Sequence, residues 1–362
     1  MNDSEIFQNR RFGEAVDILS ERETEAGLVK LVGDELSRKK WKVQAWAVGA
    51  PKGGIGKSQI AINLAHTLAS RGLKVGYVDV DMYDPNGLGY VYADLPDDIN
   101  GDLRVNKSLI DVVVGKKTSM KGEGKKRITV KQRKSLPEVG FQSKNRSQLT
   151  YFLTNPPGEA SREKGSKVER EKALNKAHGM LLEEIRKVND YHMFVLDFPA
   201  GMPQYLDAFI GCDQRVYIVD FENFASFDGI HNISNLLSTG EHELSQGGNV
   251  LVVNKIPQGN IEGVLNKRLI RTLSRGIFDG HYGKTVHKEN AELLYDQFIK
   301  GLDGLSFDRY FQVLHHEGIK TTSNKGVPFL SRVDRENEIF YREMKEVADY
   351  LIEGSLKWNR LN

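Results

Sequence analysis

Ten residues, Gly49-Ala50-Pro51-Lys52-Gly53-Gly54-Ile55-Gly56-Lys57-Ser58, set glycines, two lysines and a hydroxyl in a spacing suited to gripping a polyphosphate. Glycines allow successive backbone N–H groups to wrap phosphate oxygens, and a helix that starts here adds its positive dipole end. The pattern G-x-x-x-x-G-K-[ST] predicts that Lys57 neutralises β/γ-phosphate oxygens and that Ser58 places its hydroxyl on Mg²⁺. Lys52 is a second cation in the same loop, although one nucleotide needs only Lys57. Further polar groups close apolar runs downstream: Asp79 and Asp81 in VDVD, Asp197 in FVLDFPAG, and Asn254 in VVNKIP.

Such a loop works only between a strand and a helix, and the flanking residues predict both. Val43–Gly49 is a short apolar run that reads as a buried strand. Residues from Lys57 to about Arg71 read as a helix closed by Gly72, and Lys74–Val80 reads as a second strand. This strand–helix–strand order implies a parallel sheet covered by helices. Leu174–Val188 reads as a further helix, and His192–Asp197, Arg215–Asp220 and Asn249–Asn254 as strands. Phe340, Met344, Val347 and Leu351 make a late helical stripe. The expected fold is α/β: a doubly wound, mostly parallel sheet with helices on both faces. Ligands are expected at the carboxyl ends of its strands. Residues 1–41 are predicted to be an N-terminal helical extension. Residues 42–362 form the main domain, with a basic insertion at about 115–147, expected as a loop, and a mostly helical insertion at about 258–310.

With these landmarks in order, the chain resembles the MinD/ParA family of deviant Walker P-loop ATPases over roughly residues 43–115, 148–257 and 312–352. The resemblance implies ATP as ligand, Mg²⁺ as cofactor and ATP hydrolysis. It implies nucleotide contacts from Gly53, Gly54, Ile55, Gly56, Lys57, Ser58 and Gln59, although Gln59 replaces the family's usual Thr. The early lysine, Lys52, would reach across a face-to-face homodimer to the partner's nucleotide. Asp81 would position the attacking water, since phosphoryl transfer depends on placement and charge neutralisation. Asp197 would hold Mg²⁺ through water, with Ser58 as the other metal contact, and the Gly201 N–H would sense the γ-phosphate. Asn254 would recognise the base. A GTP-specific N-K-x-D needs Asp at position 257, where Pro stands, so adenine is expected.

Bulk composition narrows the role. The formal charge is +2, yet residues 116–146 carry eleven Lys/Arg against two acids, leaving the rest of the chain net acidic. That basic stretch predicts non-specific DNA binding, because Lys/Arg contacts to phosphates give sequence-independent affinity. The alternative is a regulatory or assembly ATPase that binds a protein and no DNA. An activating protein partner is expected in either case. The one cysteine, Cys212, excludes an intrachain disulfide and argues against the superfamily's iron–sulfur members, whose dimers ligate a cluster with paired cysteines. His315-His316 has no third ligand nearby and reads as packing or surface. The opening residues lack an apolar signal core, and no run of 18 apolar residues suggests a membrane span, so a cytoplasmic location is expected.

Overall fold

The structure is a computed structural model. It describes residues 42–82, 85–96, 107–113, 116–121, 127–154, 167–201, 205–220, 226, 229, 248–256, 307–331 and 337–361. The predicted extension at 1–41 and nearly all of the predicted helical insertion lie outside these residues. The end of that insertion is a strand, starting at Arg309.

The main sheet has eight strands among the described residues. In chain order they are β1 (Gln44–Ala50), β2 (Val75–Asp79), β5 (Phe141–Gln142), β6 (Leu149–Phe152), β7 (Met193–Ala200), β8 (Gln214–Asp220), β9 (Gly248–Ile256) and β10 (Arg309–Leu314). Their spatial order is β10-β9-β8-β1-β7-β2-β6-β5. Every neighbouring pair is parallel except β5–β6 at the edge. The central strands are buried on both faces, which is why they read as unbroken apolar runs without alternation.

Helices cover both faces. On one side, α1 (Lys57–Ser70) packs against β1, β2 and β7, and the C-terminal α7 (Glu338–Leu361) lies on α1. The Trp46 indole N–H donates to the Ser355 hydroxyl of α7 at 3.2 Å, and the Leu330 N–H donates to Asn63 Oδ1 of α1 at 2.7 Å. Helix α1 ends where expected: Gly72 takes φ 81°, and its N–H donates to the Ala69 carbonyl. The opposite face carries α3 (Leu109–Val113), α4 (Lys167–Lys187) and α5 (Leu206–Ile210), packed on Phe152, Phe194, Leu196 and Phe198. Two short helices, α2 (Gly87–Val91) and α6 (Glu317–Ser323), lie at the carboxyl end of the sheet.

The basic insertion corrects the expectation of a loop. Lys116–Lys121 (β3) and Arg127–Gln132 (β4) pair as an antiparallel hairpin. A 3₁₀ turn at Leu136–Val139 follows, and its Leu136 and Val139 are buried in the core. The strand signal was present in Ile128, Thr129 and Val130, and the density of lysines masked it. The base of the segment is fastened through Asp94. Its carboxylate accepts hydrogen bonds from the Ser143 hydroxyl (2.6 Å), the Asn145 side-chain amide (2.6 Å) and the Tyr151 hydroxyl. Ordered structure here follows from burying an acid with a full set of donors.

Candidate functional site

Strand register brings the polar ends together. Asp79 of β2 lies beside Asp197 of β7, and Asp220 of β8 beside Asn254 of β9. The loop from β1 to α1 emerges between β7 and β8, where open α/β sheets place their ligand crevice. Gly54 and Gly56 take φ 80° and 92°, a left-handed backbone that glycine adopts without steric cost. A cleft of about 950 Å³ opens over this loop.

The Lys57 ammonium reaches Asp197 Oδ1 in a close ion pair and donates to the Ser58 hydroxyl at 3.2 Å. The second Asp197 oxygen accepts the buried Tyr77 hydroxyl at 2.9 Å. A cation thus already bridges the hydroxyl and the carboxylate that the sequence assigns to Mg²⁺, and the donor set, one hydroxyl and one carboxylate, suits that hard ion. Asp79 is buried too. It accepts the Gly87 N–H at 2.8 Å and the Asp81 N–H at 3.2 Å, which fastens the turn into α2. Burial, and then the negative charge of Asp197, push its pKa up to about 8. Asp81, half-buried, lines the cleft.

Lys52 is exposed at the cleft mouth. Gln59 also faces the cleft. Its Nε2 is shielded from solvent and donates to no atom of the described residues. Gly201 has φ 84°, and its N–H donates to the Ala50 carbonyl at 3.3 Å. Asn254 is buried, and its Nδ2 donates to the Ile55 carbonyl of the phosphate loop at 2.8 Å. Its neighbour Lys255 donates to the Gly54 carbonyl at 3.1 Å and pairs with Asp220 at 2.7 Å.

The predicted site residues therefore line one cleft, except Ile55, which is buried, and Gly201, which is exposed with its N–H on the Ala50 carbonyl. Sequence reasoning missed Tyr77, Lys255 and the far wall, where Tyr90, Ile319, Lys320 and Asn324 stand. Tyr77 could have been found by alternation, since it lies two positions before Asp79 on the same face of β2. The far wall carries no motif. His316 packs against Phe340 and pairs with Glu343 at 3.1 Å, as a packing histidine does, whereas His315 is exposed at the cleft. No group of three metal-ligating side chains occurs among the described residues.

A family model of the ParA group, described as an NUBPL iron-transfer P-loop NTPase, matches residues 43–89. MinD from Aquifex aeolicus superposes with a TM-score of 0.51 at 16% identity, covering 86% of this chain and 97% of that one. The chain thus shares the fold of this MinD structure, and its phosphate-loop segment, residues 43–89, is similar to P-loop NTPases of the ParA group. MinD of Pyrococcus horikoshii, complexed with Mg-ADP, matches this chain with a TM-score of 0.51 at 14% identity over 84% of it and 96% of that structure. Curated relatives match only around the loop. The chloroplastic Fe-S cluster assembly factor HCF101 of Arabidopsis thaliana is 44% identical over 59 residues, 16% of this chain and 10% of that protein. An iron-sulfur cluster carrier protein of Methanococcus maripaludis is 46% identical over 55 residues, 15% of this chain and 18% of that protein. The matches thus span less than a fifth of either relative. No helix among the described residues is long and apolar enough to cross a membrane.

Proposed function

We propose that this chain is a Mg²⁺-dependent ATPase that ATP assembles into a face-to-face homodimer, and that it works as a switch controlling the positioning, partition or assembly of a cargo. The observation that carries this reading is the arrangement of the two lysines. Lys57 sits inside the site against Asp197 and Ser58, while Lys52 stands exposed at the rim. A rim lysine suits a phosphate approached from a second copy of the chain. The Mg-ADP bound by the Pyrococcus MinD supports the choice of ligands.

In this reading Gly53 to Gln59 hold the phosphates through backbone N–H groups, and Lys57 leaves Asp197 for the β/γ oxygens. Ser58 and Asp197 would hold Mg²⁺, which supplies charge neutralisation at the transferring phosphoryl group. Asp81 orients water. Asp79, which accepts the Gly87 and Asp81 N–H groups, holds the turn that carries Asp81 in place. An activating protein partner is part of the proposal; that a chain of this fold binds another protein is supported by the MinC:MinD complex of Aquifex aeolicus.

The switch surface is assigned to the β3–β4 hairpin and duplex DNA. The ladder sets Lys117 opposite Lys131 and Lys121 opposite Arg127, at positions that share one face. Bound by the Lys/Arg of this segment, a phosphate backbone would give affinity that falls steeply with salt. Iron–sulfur transfer, the role named for the loop relatives, does not suit the thiol chemistry of this chain. Cys212, the one cysteine of the chain, is fully buried, and burial pushes its thiol pKa up, away from the thiolate a cluster needs.

The test pairs two measurements. Lys57→Ala should abolish ATP binding, and wild type with ATP should bind non-specific duplex at 50 mM salt with about 10³-fold loss at 200 mM for about six phosphate contacts. ATP bound by Lys57→Ala as by wild type contradicts the site. Duplex ignored at low salt contradicts the DNA surface and turns the reading toward a protein-binding ATPase.

A further inference from the structure

We infer that His178, on helix α4, is a positioning residue for Asp81: its ring pins the peptide group that joins Val80 to Asp81 and so fixes where the Asp81 carboxylate enters the cleft. The inference rests on the proposed role of Asp81 in orienting water.

Strand β2 ends at Asp79, so Val80 and Asp81 lie beyond the ladder and their backbone groups need other partners. Two consecutive peptide groups are held here at both ends. In the first, the Asp79 carbonyl accepts the Thr154 hydroxyl at 3.0 Å, and the Val80 N–H donates to the Asp197 carbonyl at 3.1 Å. In the second, the Val80 carbonyl meets His178 Nε2 at 3.0 Å, and the Asp81 N–H donates to Asp79 Oδ1 at 3.2 Å. Each peptide group is planar. Holding both planes therefore sets φ and ψ of Val80, and with them the place of the Asp81 Cα.

A carbonyl can only accept, so His178 Nε2 carries the ring hydrogen. Nδ1 is shielded from solvent and pairs with no atom among the described residues, which leaves the bond to Val80 as the ring's one hydrogen bond there. The ring's direction is set by two neighbours. Tyr205 lies edge-on with centroids 4.9 Å apart, and Phe198, the residue after Asp197, lies tilted at 6.2 Å. A buried imidazole with one nitrogen unpaired is a costlier filler than an apolar ring of its size. The bond that the other nitrogen makes is directed at the peptide beside Asp81. His178 does not line the cleft, so its loss should spare ATP binding and act on turnover through Asp81.

Phosphate release at saturating ATP and calorimetric ATP binding test this on wild type, His178→Phe, His178→Gln, Asp81→Ala and the double variant of Asp81→Ala with His178→Phe. Phenylalanine keeps a ring against Tyr205 and Phe198 and removes the donor, whereas glutamine offers an amide N–H in its place. A misplacement of about 1 Å costs on the order of 10²-fold in rate, so a partial loosening in His178→Phe is expected to lower kcat about tenfold. Its ATP affinity should match wild type, and His178→Gln should recover most of the rate. With Asp81→Ala already present, His178→Phe should lower the residual rate no further, since residues of one network are not additive. Thermal unfolding checks that each variant is folded, and His178→Leu carries the same test if phenylalanine is not accommodated. The inference is overturned if the variant without the donor turns over ATP as wild type does while Asp81→Ala is impaired, or if it costs the same factor with and without Asp81. Asp81→Ala with wild-type turnover would instead remove the water-orienting role, and the inference with it.

Discussion

Replacing Tyr77 by Phe removes one oxygen atom and little else, so its consequences can be worked out. The ring is wholly buried, and the hydroxyl donates to Asp197 Oδ2 at 2.9 Å, while Lys57 holds the other carboxylate oxygen. Phenylalanine keeps the packing against Tyr151, whose ring lies edge-on with centroids 6.1 Å apart. What is lost is a hydrogen bond to a charged, buried acceptor, at a cost of about 1.5–3 kcal/mol. Unfolding entropy of roughly 2.1 cal/mol/K per residue, applied to the 362-residue chain, gives about 1.3 °C in Tm per kcal/mol, so the expected drop is about 2–4 °C. The same loss frees the carboxylate to turn. If Asp197 holds Mg²⁺, the Mg²⁺ concentration for half-maximal ATPase activity should rise several-fold, with a smaller effect at saturating Mg²⁺. Calorimetric melting without nucleotide and a Mg²⁺ titration of turnover read the two effects separately. A Tyr77→Phe protein with unchanged Tm and unchanged Mg²⁺ dependence would refute the reasoning. A lowered Tm alone would leave Tyr77 a structural residue.

Three further outcomes are expected. His66 and His178 are buried, and burial lowers each pKa to about 4. Their stabilising contribution is therefore present above the unfolded value near 6.5 and lost as pH falls from there toward 4, by up to about 3 kcal/mol each; urea unfolding at pH 7 and pH 4.5 should show a loss that His66→Gln with His178→Gln reduces. Asp81→Ala should retain ATP binding and lose turnover by at least tenfold, because a water-orienting group acts on the transition state; turnover equal to wild type in a phosphate-release assay would make Asp81 a strand-end residue only. Arg215 is fully buried, donating to Asn249 Oδ1 and to the Ile210 and Cys212 carbonyls. Arg215→Met should cost about 3 kcal/mol or more by stripping those acceptors, and denaturant melts showing no loss would contradict the assignment.

The strands were legible because a parallel sheet buried on both faces selects continuous apolar runs: VQAWAVG, KVGYVDV and NVLVVN all became strands. The phosphate loop was legible because its chemistry requires particular residue types at fixed spacing. The hairpin was not, since lysine-rich strands look like solvated loops until a ladder pairs them. Asn254 shows the limit most clearly. Its residue type alone does not show that its Nδ2 donates to the Ile55 carbonyl of the phosphate loop, a contact that only the folded chain displays. Asp79 and Asp81 are likewise indistinguishable as letters. Both line the cleft, and what separates them is that Asp79 is buried and accepts the Gly87 N–H, whereas Asp81 is half-buried.

The central claim is that ATP joins two copies of this chain through Lys52. The most direct test is the mass in solution, by light scattering, with Mg²⁺ and either ADP or a non-hydrolysable ATP analogue. The account predicts 40.8 kDa with ADP and about twice that with the analogue for wild type, while Lys52→Ala binds the analogue and keeps the monomer mass or turns over no ATP. A wild-type mass that stays at the monomer value with analogue bound, together with full turnover in Lys52→Ala, would contradict it.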